Sequence, residues 1–366
     1  MKRAALVGAG LLVGALAAAW ALRAAPLSEV AAALAAADPA ALLLPAGIFL
    51  GQQALRAWRQ AVLVRASAPG HRFGASHAIL CVSFFFVNTL PARLGEALRP
   101  ALLHRVCGLG WGAALAVVLA ERAVDLGAMF VLLGVLAWRA PALAAVPGWS
   151  EAVRPLVALG LPLVLGALGA LVFGGEAAVA ALHRRLPGLP PRLLGLLRTL
   201  AAGFATLRDR RRAAAVLALT GATWALTAAL YPATAAALGF GHRLSWADGL
   251  GVLGAIMAGM ALPAAPGFAG TYEAAVLAGL AAHGIAGPAP VAPGGPSADA
   301  AALAFALLVH WGVFLVQSAT AALSAFAPDF RGGALRSAWS AAGPGATGGA
   351  TGGGVAEGAQ PPLPQG

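Results

Sequence analysis

The chain is poor in charged residues. Only 10% of its 366 residues are Asp, Glu, Lys or Arg, and 60% are hydrophobic. A soluble domain carries about 25% charged residues. Because a helix of about 20 apolar residues spans the hydrocarbon core of a bilayer, the several apolar runs of that length predict a polytopic helical membrane protein. The expected fold class is all-α.

Acidic residues are scarcer than basic ones, and Lys2 is the single lysine beside many arginines, so the formal net charge is +11. The arginines lie in a few segments between apolar runs, as the positive-inside rule requires of cytoplasmic loops. We therefore interpret the basic charge as a cytoplasmic face in contact with anionic lipid, and predict no nucleic-acid partner.

Cysteine is also rare, and chemical motifs are missing. Cys81 and Cys107 show neither a CxxC pattern nor His-Cys metal spacing. The sequence offers no convincing Ser-His-Asp set, metal cluster, phosphate-binding Walker loop or dinucleotide fingerprint. We therefore predict that the chain is not an enzyme and holds no metal and no cofactor.

Six segments are long enough to cross a membrane. They are residues 4–22, 38–60, 111–138, 153–173, 213–239 and 300–327. Two more apolar stretches, 73–106 and 248–284, are interrupted by Pro and Gly near their middles. Proline removes a backbone donor and clashes with the preceding turn. Broken helices persist at membrane depth only where protein buries them or where they line water.

The distribution of arginine orients this map. With the N-terminus inside, most basic residues fall in inner segments if both broken stretches are re-entrant, 73–106 from the cytoplasm and 248–284 from outside. Both termini are then cytoplasmic, in a bacterial inner membrane. Interrupted segments in corresponding places of two halves suggest inverted repeats around a midplane site.

We assign residues 1–330 to one membrane domain. Within it, the basic inner loop 176–212 has leucines at near-helical spacing, which predicts amphipathic helices on the membrane surface or, alternatively, a solvated connector. Residues 331–366 are rich in Gly, Pro and Ala and are predicted to be disordered.

Three short polar islands interrupt the apolar chain, and charge in hydrocarbon costs at least ~2.5 kcal/mol for each ionisable group. In the first island, Asn88 offers amide donors, and Arg93 and Arg99 offer fork-shaped donors that suit phosphate. A helix that restarts near Gly95 would add free N–H groups that favour an anion. Glu96 lies in the same island.

The second island, Glu121, Arg122 and Asp125, lies near the middle of a predicted span. Residues 121 and 125 stack on one helical face. One arginine against two carboxylates leaves a deficit of positive charge, which Arg93 or Arg99 would supply. The island is either a buried ion network that locks the first hairpin onto the span, or a polar cavity that accepts an anionic head group or relays protons. The two readings are compatible.

The third island follows the second interruption and carries one charge, Glu273. We expect Glu273 and Glu96 to balance charge or to bind a coupling ion. Both hairpin tips present backbone groups or, alternatively, are turns that need Pro and Gly for packing. The tip residues are Pro91, Gly95, Pro263, Pro266, Gly267 and Gly270.

Four other polar residues lie inside predicted spans: His310 and Gln317 in the last, and Gln52 and Gln53 in the second. We interpret them as interhelical hydrogen-bonding residues.

The three islands together resemble the lysylphosphatidylglycerol synthase transmembrane-region family of flippase-like proteins. The resemblance covers about residues 45–325 and rests on the ordered strings at 88–99, 121–125 and 266–273. Two departures stand out. Phe268 occupies a position where the family often has glycine, and the soluble aminoacyl-transfer domain is absent, so the resemblance does not support lysyl transfer.

The resemblance and the islands imply a lipid flippase. The substrate would be a membrane lipid with a polar, phosphate-bearing head group. Arg93 and Arg99 would attract it, and the second island would form the path. Alternatives are an accessory subunit that presents lipid to a synthesis enzyme and an ion-coupled transporter of a small solute. A homodimer is a further possible assembly.

Overall fold

The computed structural model describes residues 2–89, 95–139, 149–260, 265–291 and 293–327, and within them the regular elements are helices, without a strand. The all-α class expected from the composition is confirmed. The principal helices are α1 (Lys2–Leu22), α2 (Leu27–Ala35), α3 (Leu43–Val64), α4 (Phe73–Thr89), α5 (Leu98–Cys107), α6 (Trp111–Arg139), α7 (Trp149–Arg185), α8 (Pro191–Ala205), α9 (Arg210–Ala237), α10 (Trp246–Met260), α11 (Thr271–Ala282) and α12 (Ala298–Ala325).

Three helices of the described chain are long and apolar enough to cross a membrane alone: α7 from Arg154 onward, α9 and α12. Leu11–Leu22 of α1 and Leu27–Ala35 form a fourth candidate, bent by 80°. Helices α3 and α6, with 22 and 29 residues, have the length of a span but carry polar residues in their middles. The chain is therefore a polytopic membrane protein, while the count of six spans stays a prediction.

Both interrupted stretches are broken helices. The first is α4 followed by α5, and the second is α10 followed by α11. Helices α5 and α11 have 10 and 12 residues. At 1.5 Å per residue they are about 15 and 18 Å long, well short of the ~30 Å hydrocarbon core. Neither α5 nor α11 crosses the membrane alone. The side from which each pair enters stays a prediction.

The first pair folds back tightly at Gly95. A Cβ atom there would collide with the backbone of Phe86 and Val87 in α4, so the close approach requires glycine. Pro91 and Arg93 fall outside the described residues, as do Pro263 and the tail from 328 onward.

The second tip is a left-handed turn. Gly267, Phe268 and Gly270 have φ angles of 67°, 61° and 84°. Phe268 is an L-residue in a conformation that glycine adopts without steric cost. A Cβ on Gly267 would lie 3.1 Å from the Asn88 carbonyl oxygen, so the two broken helices meet at their tips.

Helix contacts in the first half recur in the second. Helix α4 packs on α3 and α12, whereas α10 packs on α9 and α6; α5 packs on α6, whereas α11 packs on the first half of α12. Exchanging α3–α6 with α9–α12 therefore preserves these contacts. Helices α3 and α9 are antiparallel, since Gln52 pairs with Thr227 and Arg59 with Thr220. This is the arrangement expected of inverted repeats.

The predicted surface loop 176–212 is helical over most of its length. Residues up to Arg185 continue α7, α8 occupies Pro191–Ala205, and Arg210 begins α9. Asp209 caps α9, because its carboxylate accepts hydrogen bonds from the backbone N–H groups of Arg211 and Arg212. Helix α8 packs on α6 and α7.

Replacing Gly270 with alanine should destabilise the protein, because a Cβ would collide with the Gly14 carbonyl of α1 at a φ of 84°. We expect a loss of about 1–3 kcal/mol in the free energy of unfolding, measured in detergent. The control is Gly169→Ala in α7, where a Cβ meets nothing within 4 Å. Equal loss in both variants would contradict the tight α1–α11 contact.

Candidate functional site

A polar stripe runs along α3, within a segment expected to cross the membrane. Its members recur three, four and seven residues apart, which places them along one face of the helix. Four of them are buried and the fifth, Arg56, is partly buried. The stripe consists of Gln52, Gln53, Arg56, Arg59 and Gln60. Because unpaired polar groups are costly in an apolar interior, these side chains need partners from other helices.

Arg59 is held by a bidentate ion pair with Asp125 of α6. Its Nη1 and Nη2 atoms lie 2.6 and 2.8 Å from the two carboxylate oxygens. Nη1 also donates to the hydroxyl of Thr220 in α9 at 2.8 Å. The Arg59 side chain is 3% exposed and that of Asp125 is 26% exposed. This pair joins α3, α6 and α9 at one point.

Arg99 provides the second cation of the network. Its guanidinium pairs with Glu121 and donates from Nε and Nη2 to the Gln60 side-chain oxygen at 3.0 and 2.8 Å. Glu121 lies 3.8 Å from Arg59 Nε as well. Arg99 thus supplies the positive charge that the second island lacks, and it fastens α5 to α6. Its Nε and Nη2 donors are occupied by protein groups.

The two ion pairs and the neighbouring Arg122 and Arg56 form one charged cluster. Within this cluster, Arg122 and Arg56 are less fully engaged. Arg122 lies 3.8 Å from Glu96, and both side chains are nearly half exposed. Arg56 lies over the Phe84 ring, 5.4 Å from its centroid, in a cation–π contact. Among the described residues, no carboxylate lies within 4.0 Å of Arg56.

The second polar centre lies at the other hairpin tip. One oxygen of Glu273 accepts a hydrogen bond from the Gly270 N–H at 2.7 Å, and the other lies 2.7 Å from Nδ1 of His310 in α12. His310 Nε2 lies 2.8 Å from the Gly267 carbonyl oxygen. The imidazole stacks on Tyr272 at 4.4 Å. Glu273 therefore fixes the start of α11, and His310 ties the tip to α12.

Glutamines connect the helices between the two centres. Gln53 donates to Gln317 at 2.7 Å, and Gln317 donates to the Cys81 carbonyl at 2.9 Å. Gln52 donates to the Thr227 hydroxyl. The interpretation of these glutamines and of His310 as interhelical hydrogen-bonding residues is confirmed.

Two apolar clefts lie toward opposite ends of α9. One, of about 300 Å³, is lined by residues of α6, α7, α9 and α10, among them Leu132, Leu217, Thr220 and Trp224. The other, of about 240 Å³, lies between α3, α9 and α12 and includes Phe49 and Leu230. The first cleft adjoins the ion network, because Thr220 accepts the hydrogen bond from Arg59.

The family model of the lysylphosphatidylglycerol synthase TM region matches residues 7–319. The chain belongs to this family. The match includes both broken helices and both polar centres, and it confirms the resemblance found in the three islands. The chain is thus a multi-pass membrane protein of a family associated with lipid. No curated protein matches the chain.

Sequence reasoning missed several residues that the site of this family member contains. Arg56 and Arg59 fall among the inner basic residues of the topology that the sequence predicts, yet the spacing of 52, 53, 56, 59 and 60 marks one helical face. That stripe, inside a predicted span, was the available signal. The pairing of His310 with Glu273 needed the tertiary structure. Within the described residues, no group of three or more His, Cys, Asp and Glu is placed to hold a metal ion.

Removing Asp125 should strongly destabilise the protein, since Asp125→Leu leaves Arg59 buried without its bidentate partner. We expect a loss of about 3–5 kcal/mol in the free energy of unfolding in detergent, and recovery of most of it in the double variant Arg59→Met/Asp125→Leu. Arg122→Gln, which breaks a half-exposed pair, should cost at most about 1 kcal/mol. Similar losses for Asp125→Leu and Arg122→Gln would refute the central role of the buried pair.

Proposed function

We propose that the chain moves a lipid with a phosphate-bearing head group between the two leaflets of the bacterial inner membrane. The observation that carries this proposal is the apolar cleft that adjoins the Arg59–Asp125 pair through Thr220. An apolar wall beside a charged centre matches a lipid, because a lipid has apolar chains and a polar head group. A small polar solute would gain no favourable contact from an apolar wall.

The charge balance of the cluster favours an anionic head group. Four arginines, Arg56, Arg59, Arg99 and Arg122, lie near three carboxylates, Glu96, Glu121 and Asp125. An incoming phosphate would therefore enter a site with an excess of positive charge, where arginine offers paired donors.

The engaged and less engaged arginines take different roles in this proposal. Arg59 and Arg99 already donate to Asp125, Glu121, Thr220 and Gln60, so they hold the cluster in shape. Arg56 and Arg122 would contact the head group. Arg93, which precedes Gly95 in the sequence, would recruit the lipid from the cytoplasmic side.

The contact between the hairpin tips supplies the element that would open and close. Asn88 and Gly267 meet where the two broken helices end, and an apolar cleft lies toward each end of α9. In inverted-repeat transporters, broken helices of the two repeats face a shared midplane site. We infer that the head group passes between the tips while the acyl chains stay in lipid.

Replacing Arg56 with glutamine should slow lipid translocation. Purified protein is reconstituted into vesicles with fluorescent lipids bearing phosphatidylglycerol, phosphatidylcholine or polyprenyl-phosphate head groups, and the rate of transfer between leaflets is measured. Because a hydrogen bond to a charged group contributes about 1.5–3 kcal/mol, we expect a rate about tenfold lower or more, most clearly for the anionic lipids.

The matched control is Arg185→Gln, which removes an exposed arginine at the end of α7. Arg93→Ala and Glu121→Ala test the recruiting and path residues in the same assay. Rates equal to wild type in Arg56→Gln, Arg93→Ala and Glu121→Ala, at equal folded yield, would rule out the proposed path. Absence of translocation with every lipid, together with co-purification of a lipid-synthesis enzyme, would indicate the accessory role instead.

A further inference from the structure

The imidazole of His310 faces a hydrogen-bond acceptor at each ring nitrogen. Nε2 lies 2.8 Å from the Gly267 carbonyl oxygen, which can only accept, so Nε2 must carry a proton. Nδ1 lies 2.7 Å from Oε1 of Glu273. Two lone pairs at that distance would repel each other, so a proton must lie between these atoms as well.

The pair therefore holds one dissociable proton, whichever atom carries it. The arrangement is either an imidazolium beside a carboxylate or a neutral imidazole beside a carboxylic acid. The second carboxylate oxygen of Glu273 accepts from the Gly270 N–H at 2.7 Å in both cases. The His310 and Glu273 side chains are 12% and 7% exposed, so little solvent is available to replace the contact.

These contacts hold a turn that is unfavourable by itself. Phe268 has a left-handed φ angle, which is unfavourable for a residue other than glycine, and the carbonyl of the preceding Gly267 is bound by the imidazole. Loss of the shared proton would set Nδ1 against the Glu273 carboxylate and loosen the link between α12 and the tip. Because Gly267 lies against Asn88, the loosened tip is the one that meets the first broken helix.

Tyr272 contacts the pair directly, and Tyr231 and Arg56 lie beyond it. Tyr272 of α11 stacks on the imidazole, and Tyr231 of α9 interacts with Tyr272 through the two hydroxyl groups. Arg56 of α3 lies within electrostatic range of Tyr231. The tyrosines are neutral, and Arg56 belongs to the basic cluster of the first half. In the proposed function, Arg56 contacts the lipid head group.

We propose that His310 and Glu273 form a proton-binding site whose occupancy latches the second hairpin tip, so that lipid movement is coupled to protonation. The coupling rests on the proposed function, whereas the proton site and the latch do not. The latch is closed at low pH, when the proton is present, and is released as pH rises and the proton leaves.

The proton itself is measured by 15N NMR of histidine-labelled protein in lipid bilayers between about pH 5 and pH 9. The chain has seven histidines, and the His310 signals are identified by their loss in His310→Gln. We expect protonated Nε2 and a proton shared at Nδ1 at low pH, and a one-proton change on raising the pH. In Glu273→Gln we expect no such change, because the amide N–H of glutamine can donate to a bare Nδ1 and no shared proton is needed.

A neutral His310 with one bare nitrogen throughout the range, or a proton loss unaffected by Glu273→Gln, would overturn the proton site.

The latch is tested with a spin label at Phe268→Cys in a Cys81→Ala/Cys107→Ala background. Label mobility should rise with the same pH midpoint as the proton loss. Below that midpoint, the population of the open tip should increase about tenfold for each unit by which the pH is raised. Mobility that is independent of pH would overturn the latch.

Coupling is measured as the pH dependence of lipid translocation in reconstituted vesicles. We expect a pH-dependent rate in wild type, a flat profile in His310→Gln and Glu273→Gln, and a wild-type profile in His283→Gln. His283 is the matched control, since it pairs with Asp248 at 3.1 Å outside the tip. Translocation with a flat wild-type profile would overturn the coupling and leave the proposed function standing. An NMR proton step without translocation of any lipid would support the site and overturn the proposed function.

Discussion

The structure depends on pairing the buried guanidinium of Arg59. A buried arginine in a helix bundle persists only with partners for its charge and its donors. Asp125 of α6 and Thr220 of α9 accept its hydrogen bonds, and Glu121 of α6 lies 3.8 Å from its Nε atom. Since Glu121 also binds Arg99, the same requirement brings α5 onto α6 and determines where the first broken helix lies. Helices α3, α5, α6 and α9 thus meet in one network of buried charges.

The second half of the chain fastens its broken helix with a different pair of side chains. Helix α5 is fastened to α6 by Arg99 and Glu121, and helix α11 is fastened to α12 by Glu273 and His310. The two pairs occupy matching places when α3–α6 are exchanged with α9–α12. The first pair joins a guanidinium to a carboxylate, whereas the second joins an imidazole to a carboxylate. A fold with near-symmetric contacts therefore fastens its two broken helices with different donors.

Close backbone approach is the other organising factor. Helices in lipid gain little from burying apolar surface against each other, so small residues and hydrogen bonds dominate their packing. Gly95 lets the chain return along α4, and Gly270 lets α1 cross the second tip. Phe268 is an exception, because it has a left-handed φ angle although it is not a glycine. The contacts of Gly267 with His310 and Asn88 lie in the same turn.

The sequence by itself determined the membrane class, the all-α fold, the two interruptions and the family, because these follow from local properties: the length of apolar runs, the effect of Pro and Gly on a helix, and the order of short motifs. It also indicated that Glu121 and Asp125 need an additional cation. Only the tertiary structure decided that Arg99 and Arg59 supply it, that His310 binds Glu273, and that the two tips meet. The three side-chain pairings join residues 22, 66 and 37 positions apart in the sequence, and no local pattern specifies which of several buried arginines and carboxylates approach each other when the helices pack.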